Sequence, residues 1–212
     1  MKKSFARLTV PASLLGMSLR RREEDDPYLR VYPHLLAALK GRTITPSVFV
    51  EAAHMVYGWM PTVLTLTPCS PSEPFVREAA LVERARTEGT LLSAADLTQV
   101  AKCMTEKHGS IIGASKLLHF VCPTHYAIWD TRVFAFLSYR GKRCRVRRPT
   151  RGAVNSVDRY ASYLASLKSL FGDPKFADFH KRVNKDLGYE VTAMRAAELV
   201  MFSHICKFKN KA

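Results

Sequence analysis

The sequence lacks the features that mark membrane-spanning and disulfide-stabilised proteins. It contains no run of about eighteen apolar residues, so no segment is predicted to cross a bilayer. The stretch 8–19 is interrupted by Pro11 and closed by three arginines, so we do not expect a signal peptide. The five cysteines are scattered and form no Cys-x-x-Cys pair, which argues against a disulfide framework, a zinc site or an iron–sulfur cluster. Reduced thiols fit a cytoplasmic protein, and neither a metal nor a cofactor is expected.

Acidic residues are few compared with basic ones. The chain has 18 Asp and Glu against 33 Lys and Arg, which gives a formal net charge of +15 over 212 residues. A field of this sign favours polyanionic partners. A nucleic acid is expected in preference to an anionic membrane surface, and the charge alone does not separate DNA from RNA.

Strand-like alternation is also scarce, and helical periodicity predicts an all-α fold. We expect one domain over residues 1–212, with lobes at about 27–108 and 109–212. A turn is expected at 109–115. The predicted helices are 27–40, 46–57, 75–88, 93–108, 116–121, 130–137, 157–171, 174–187 and 190–207.

A basic segment at 138–152 is the plainest functional signal, and it is expected to form a loop or hairpin. It contains no acidic residue, and its seven cations are Arg140, Lys142, Arg143, Arg145, Arg147, Arg148 and Arg151. The planar guanidinium group donates paired hydrogen bonds that suit phosphate. The alternative is a solvated, flexible loop, but seven cations without counter-ions favour a missing polyanion.

The segment 109–137 combines several groups suited to nucleic-acid chemistry. The expected turn, with Gly109 and Gly113, would expose backbone N–H groups that hold a phosphate at the start of a helix. Lys116 lies within that helix, and Asp130 begins the next one.

This segment resembles the helix-hairpin-helix DNA glycosylase superfamily, in particular the small bacterial proteins with an 8-oxoguanine glycosylase fold. Residues 129–133 (WDTRV) match the family's aspartate element, and 112–118 (IGASKLL) form a degenerate match to its hairpin and lysine. The usual L-P-G-V-G hairpin is absent, and the interval from lysine to aspartate is shorter than in the family.

The resemblance implies a two-lobed, glycosylase-like domain that binds duplex DNA in a cleft as a monomer and excises an extruded base. Asp130 would be the catalytic carboxylate, and Lys116 either an amine near the sugar or a surface lysine that contacts a phosphate. Further DNA contacts would come from Gly113, Ser115 and Arg132. The base would be an oxidised purine or a phage-type hypermodified pyrimidine. Base release is expected as the main reaction, with weak or no strand cleavage, because a nearby Asp130 would keep the Lys116 amine charged.

Several aromatic residues are candidates for the base pocket. Those adjoining the aspartate element are His125, Tyr126 and Trp129, and those at the end of the second helix are Tyr57 and Trp59. Such rings can stack on a base, although core packing is the alternative for Tyr57, Trp59 and Trp129. His119 lies in an apolar stretch and is expected to be a hydrogen-bonded core residue.

Two other functions remain open. A transferase on the same fold would alter a base within phage-type DNA and leave the strand intact. A non-catalytic DNA-binding module would use Asp130 only as a helix N-cap.

Overall fold

The computed structural model describes residues 8–20, 26–59, 63–104, 109–139, 145–205 and 207–209. Within these ranges the regular secondary structure is almost entirely helical, which confirms the all-α class. The chain divides into two compact units, which we call the middle unit (Arg21–Trp129) and the terminal unit (Met1–Arg20 with Asp130–Ala212). The middle unit therefore continues past the lobe boundary that was expected at 108. The helix that begins at Ile111 belongs to it, because this helix packs among the helices that precede it.

The middle unit surrounds one central helix. Its helices are α1 (Pro27–Leu39), α2 (Pro46–Trp59), α3 (Val76–Glu88), α4 (Ala94–Lys102) and α5 (Ile111–Val121). Helix α5 contacts each of the other four. All its residues except Ile112 are buried, as expected of a helix that is apolar on every side.

Local sequence signals explain most of these helix boundaries. Asp26 caps α1 by accepting a hydrogen bond from the Tyr28 N–H, and Ser93 caps α4 through the Asp96 N–H. Gly89 follows α3 with a φ of 60°, a left-handed conformation that glycine adopts without strain.

The largest error of the sequence prediction concerns α4 and α5. Helix α4 ends at Lys102 rather than near 108, and α5 begins at Ile111 rather than at Lys116. The turn expected at 109–115 is therefore wrong from Ile111 onward, because those residues form the first turns of α5. Ser110 begins α5 as its N-cap and accepts a hydrogen bond from the Gly113 N–H at 3.0 Å, which places Gly113 and Ser115 inside the helix.

The terminal unit also has a central helix. Its elements include a short 3₁₀ helix (Ala12–Gly16), α6 (Thr131–Ser138), α7 (Arg151–Val154), α8 (Val157–Phe171), α9 (Phe176–Leu187) and α10 (Ala193–His204). Helix α10 contacts α6, α8, α9 and the 3₁₀ helix. It carries a buried ion pair between Arg195 and Glu198.

The segment before the 3₁₀ helix is fastened to the rest of the terminal unit. The Ser166 Oγ accepts a hydrogen bond from the Val10 N–H at 2.8 Å, and Arg182 donates to the Leu15 carbonyl at 2.5 Å. Leu14 and Leu15 are buried. The segment is thus anchored to this unit, and its residues Val10, Leu14 and Leu15 belong to the core.

The basic segment contains a strand rather than forming a loop or hairpin throughout. Strand β1 (Arg145–Arg147) pairs in parallel with strand β2 (Lys207–Lys209), and α7 starts at Arg151. The last helix was expected to reach 207 but ends at His204, because the chain turns into β2. A parallel pairing joins distant parts of the chain, so local sequence patterns give no sign of it.

Candidate functional site

The start of α5 is closed by contacts within the protein. Gly109 has a φ of +64°, and a Cβ placed on it would lie 2.7 Å from the Ala101 carbonyl oxygen. The Ser110 N–H donates to that same oxygen at 2.8 Å. Glycine is therefore required here by both the backbone conformation and the close approach of α4.

Gly113 has a packing role instead of the expected phosphate contact. Its N–H donates to the Ser110 side chain, and a Cβ on it would lie 2.3 Å from the Tyr57 hydroxyl oxygen. The Tyr57 hydroxyl donates to the Met104 carbonyl at 3.0 Å, and Tyr57 is buried. The absence of a side chain at Gly113 makes room for Tyr57, which belongs to the core rather than to an open base pocket.

Ser115 fixes the loop that leads to Asp130. Its Oγ donates to the Ile112 carbonyl at 2.8 Å and accepts from the Trp129 N–H at 3.0 Å. Both Ser115 and Trp129 are fully buried. Neither the DNA contact expected of Ser115 nor the base contact expected of Trp129 is compatible with this placement.

A second set of hydrogen bonds holds the same loop at Tyr126. The His119 Nδ1 lies 2.6 Å from the Tyr126 carbonyl oxygen, and its Nε2 lies 2.8 Å from the Tyr32 hydroxyl. Since a carbonyl only accepts, Nδ1 carries the proton and Nε2 accepts from Tyr32. His119 is thus the hydrogen-bonded core residue that the sequence predicts.

Tyr126 is also a core residue rather than part of a base pocket. Its hydroxyl accepts from the Leu92 N–H at 2.8 Å and donates to the Thr90 carbonyl at 3.1 Å. Burial raises the pKa of Tyr126 to about 12. His125 is half-buried, lies against Gly89 and has its Nδ1 2.8 Å from the Thr124 hydroxyl.

Asp130 is the N-cap of α6. Its Oδ1 accepts a hydrogen bond from the Arg132 N–H at 2.8 Å, and the residue is half-buried. The Arg132 guanidinium lies 4.6 Å from the centroid of the Phe202 ring, within the range of a cation–π contact. The carboxylate therefore has a fixed place at the end of a loop whose preceding residue, Trp129, is fully buried.

Lys116 lies next to an aromatic cleft in the middle unit. It is 8% exposed, and its Nζ is 5.8 Å from the centroid of the Trp59 ring. The Trp59 indole N–H donates to the Tyr28 carbonyl at 3.3 Å. A cleft of about 410 Å³ is lined by Pro27, Tyr28, Val31, Leu35, Met55, Gly58 and Trp59. The sequence pattern does not single out Tyr28, whose only local signal is a large aromatic residue just after a helix cap.

The seven cations of the basic segment are only partly described. Arg140, Lys142 and Arg143 lie outside the described residues, and the backbone of Arg145 and Arg147 forms β1. Arg148 and Arg151 are exposed. The described part of the segment therefore presents cations at the surface of the terminal unit.

The described ranges contain neither a candidate metal site nor a candidate membrane span. No group of three or more His, Cys, Asp or Glu side chains there could hold a metal ion. None of the helices described is long and apolar enough to cross a membrane. No protein-family model, curated protein or solved structure matches this chain.

Proposed function

We propose that this protein binds DNA and hydrolyses the N-glycosidic bond of a damaged or modified base, with Asp130 as the essential carboxylate. The observation that carries the proposal is the fixed, half-buried carboxylate of Asp130, which follows a loop held by Ser115 and His119. The net charge of +15 supports a polyanionic substrate.

The chemistry of base release suits a single fixed carboxylate. As the bond between C1′ and the base nitrogen breaks, its electron pair leaves with the base and positive charge builds on the sugar. A negative group held near the sugar stabilises that charge and orients the attacking water. The water oxygen then bonds to C1′, its proton is released, and an abasic site remains.

Of the aromatic residues named for the base pocket, Trp59 lines a cleft of the middle unit. It is half-buried beside the cleft that Tyr28 also lines, whereas Tyr57, Tyr126 and Trp129 are buried in the core. Stacking of a base on an indole ring is worth about 1–3 kcal/mol and tolerates many bases.

Base release without strand cleavage is the proposed outcome. A covalent reaction would require the Lys116 amine to reach C1′ of the sugar and form a Schiff base. Because Lys116 is buried and its Nζ lies over Trp59, it would have to leave that contact first.

The test is incubation of the protein with a panel of duplexes that carry oxidised purines or hypermodified pyrimidines, followed by alkaline cleavage of abasic sites. At least one duplex should be cleaved only after alkali, with EDTA present. Borohydride should trap little protein–DNA adduct. Efficient trapping that disappears in Lys116→Gln would instead make Lys116 the nucleophile.

A second candidate is a DNA-binding module without catalytic activity. It is favoured by the role of Asp130 as an ordinary N-cap, since most such aspartates serve only the helix. In that case the protein binds duplex DNA but produces no alkali-sensitive site on any substrate. Mass spectrometry of digested nucleosides from the same reactions would reveal a transferase, which alters a base and leaves the strand intact.

We also propose that the protein acts as a monomer in the cytoplasm. The scattered cysteines support the compartment, and Cys103 and Cys122 are buried thiols. Sedimentation of the free protein and of its complex with DNA would test the monomer.

A further inference from the structure

The pairing of β1 with β2 brings together two short basic strands from distant parts of the chain. Arg145 is in register with Lys207, and Arg147 with Lys209, while Val146 is in register with Phe208. We call these six residues the basic strand pair. Since strand residues alternate between faces, the four basic positions share one face.

Basic residues therefore occupy opposed register positions at both ends of the pair. Neighbouring strands lie about 4.8 Å apart, and like charges at opposed positions destabilise a pair. A two-stranded sheet is in any case marginal in water. Neither strand contains an acidic residue that would offset the repulsion.

The same charges continue along the chain beyond β1. Arg148 and Arg151 follow the strand directly, and both are exposed. The register therefore places Lys207 and Lys209 beside the basic segment, a proximity that local sequence patterns do not indicate.

We propose that the basic strand pair is a phosphate-binding surface for duplex DNA, to which Lys207 and Lys209 contribute together with Arg145 and Arg147. Phosphate groups offset the repulsion between the registered cations, so binding stabilises the strand pair. This inference rests on the DNA binding of the proposed function and is independent of base release.

A rival role for the same residues is protection of the strand edges against pairing. Lysine on an edge strand discourages pairing with a second molecule and requires no ligand. The two roles differ in their dependence on salt, because each phosphate contact releases condensed counter-ions on binding.

The test compares two double variants that remove the same charge. Lys207→Gln with Lys209→Gln alters the strand pair, and Lys181→Gln with Lys185→Gln alters exposed positions on α9 in the same unit. Binding of a fluorescein-labelled DNA duplex is followed by anisotropy over a series of KCl concentrations. The strand-pair variant should bind roughly tenfold more weakly, and its log–log salt slope should fall by about 0.9 for each phosphate that the protein no longer neutralises. The α9 variant should change affinity less than about twofold.

Equal effects of the two double variants, or no effect of either, would overturn the inference. It would also be overturned if the strand-pair variant lost binding to anionic lipid vesicles while its DNA affinity stayed unchanged. Thermal unfolding of the free strand-pair variant should show an unchanged or higher Tm, which excludes misfolding as the cause of weaker binding. Base release is measured on the same duplex to separate this inference from the proposed function. If the strand pair contributes to DNA binding but no base is released, the inference holds and the proposed base release fails.

Discussion

Helices α5 and α10 are each the centre of their own unit, yet their buried polar groups make different contacts. Helix α5 buries Ser115 and His119, which hydrogen-bond to the loop before Asp130, and also Lys116, whose Nζ lies over the Trp59 ring. Helix α10 buries a charged pair, Arg195 and Glu198, one turn apart on the same helix. The difference indicates that Ser115 and His119 of α5 hold the loop that ends at Trp129, whereas the ion pair of α10 concerns the stability of its own unit.

The largest effect is expected from breaking the charged pair in α10. Glu198→Ala leaves the Arg195 guanidinium buried without its carboxylate, which should lower the free energy of unfolding by about 3–5 kcal/mol. Replacing both residues, with Arg195→Met and Glu198→Leu, should recover most of that loss. Urea unfolding measures both variants, with exposed Glu190→Ala as the control. A loss below about 1 kcal/mol for Glu198→Ala would contradict this view of the pair.

A smaller effect is expected from filling the space beside α5. The added methyl group of Gly113→Ala would overlap the Tyr57 side chain, so we expect a loss of about 1–3 kcal/mol in the free energy of unfolding. The matched control is Gly58→Ala in α2, where an added Cβ meets nothing within 4 Å. Thermal melts should show no loss for Gly58→Ala, and equal stability of the two variants would rule out the packing role.

The smallest effect concerns pH and a histidine of α10. Burial lowers the pKa of His204 below its ordinary value of 6.5, so the unfolded chain binds this proton more readily than the folded protein does. The contribution of His204 to the free energy of unfolding is therefore complete above pH 6.5. It declines as the pH falls from there towards the pKa of His204 in the folded protein. His204→Asn should flatten that decline.

The control for His204 is His54, which is exposed on α2. Each histidine has its Nδ1 2.8 Å from the carbonyl oxygen one turn earlier, Val200 for His204 and Val50 for His54. The two substitutions therefore remove the same helical hydrogen bond from a buried and an exposed position. If His204→Asn and His54→Asn change the pH dependence of the free energy of unfolding equally, burial of His204 is not the cause of the decline at low pH.

The sequence predicts well the features that short-range signals control. Helix α8 runs from Val157 to Phe171, as predicted, because Ser156 caps its start and the Gly172-Asp173-Pro174 sequence ends it. The predicted start of helix α6 at Asp130, its N-cap, is also confirmed. These boundaries depend on residues within one turn of the helix end.

The sequence fails where a residue's role depends on a distant partner. Gly109 and Gly113 both resemble turn glycines, but only Gly109 has a positive φ, and Gly113 is required by Tyr57. Ser115 likewise resembles a surface residue at a helix start until its hydrogen bond to Trp129 is known. The pairing of β1 with β2 depends on a tertiary contact that no local pattern indicates.

Base release by the Asp130→Asn variant tests whether Asp130 is the essential carboxylate. Asparagine caps a helix as well as aspartate does, so this change removes the charge and keeps the hydrogen bond to the Arg132 N–H. Asp173→Asn is the matched control, because the Asp173 Oδ1 accepts from the Lys175 N–H at 2.9 Å with the same spacing. We expect Asp130→Asn to bind duplex DNA and melt like the unaltered protein while losing alkali-sensitive product by at least about a hundredfold, with Asp173→Asn fully active. Undiminished base release by Asp130→Asn would contradict the account.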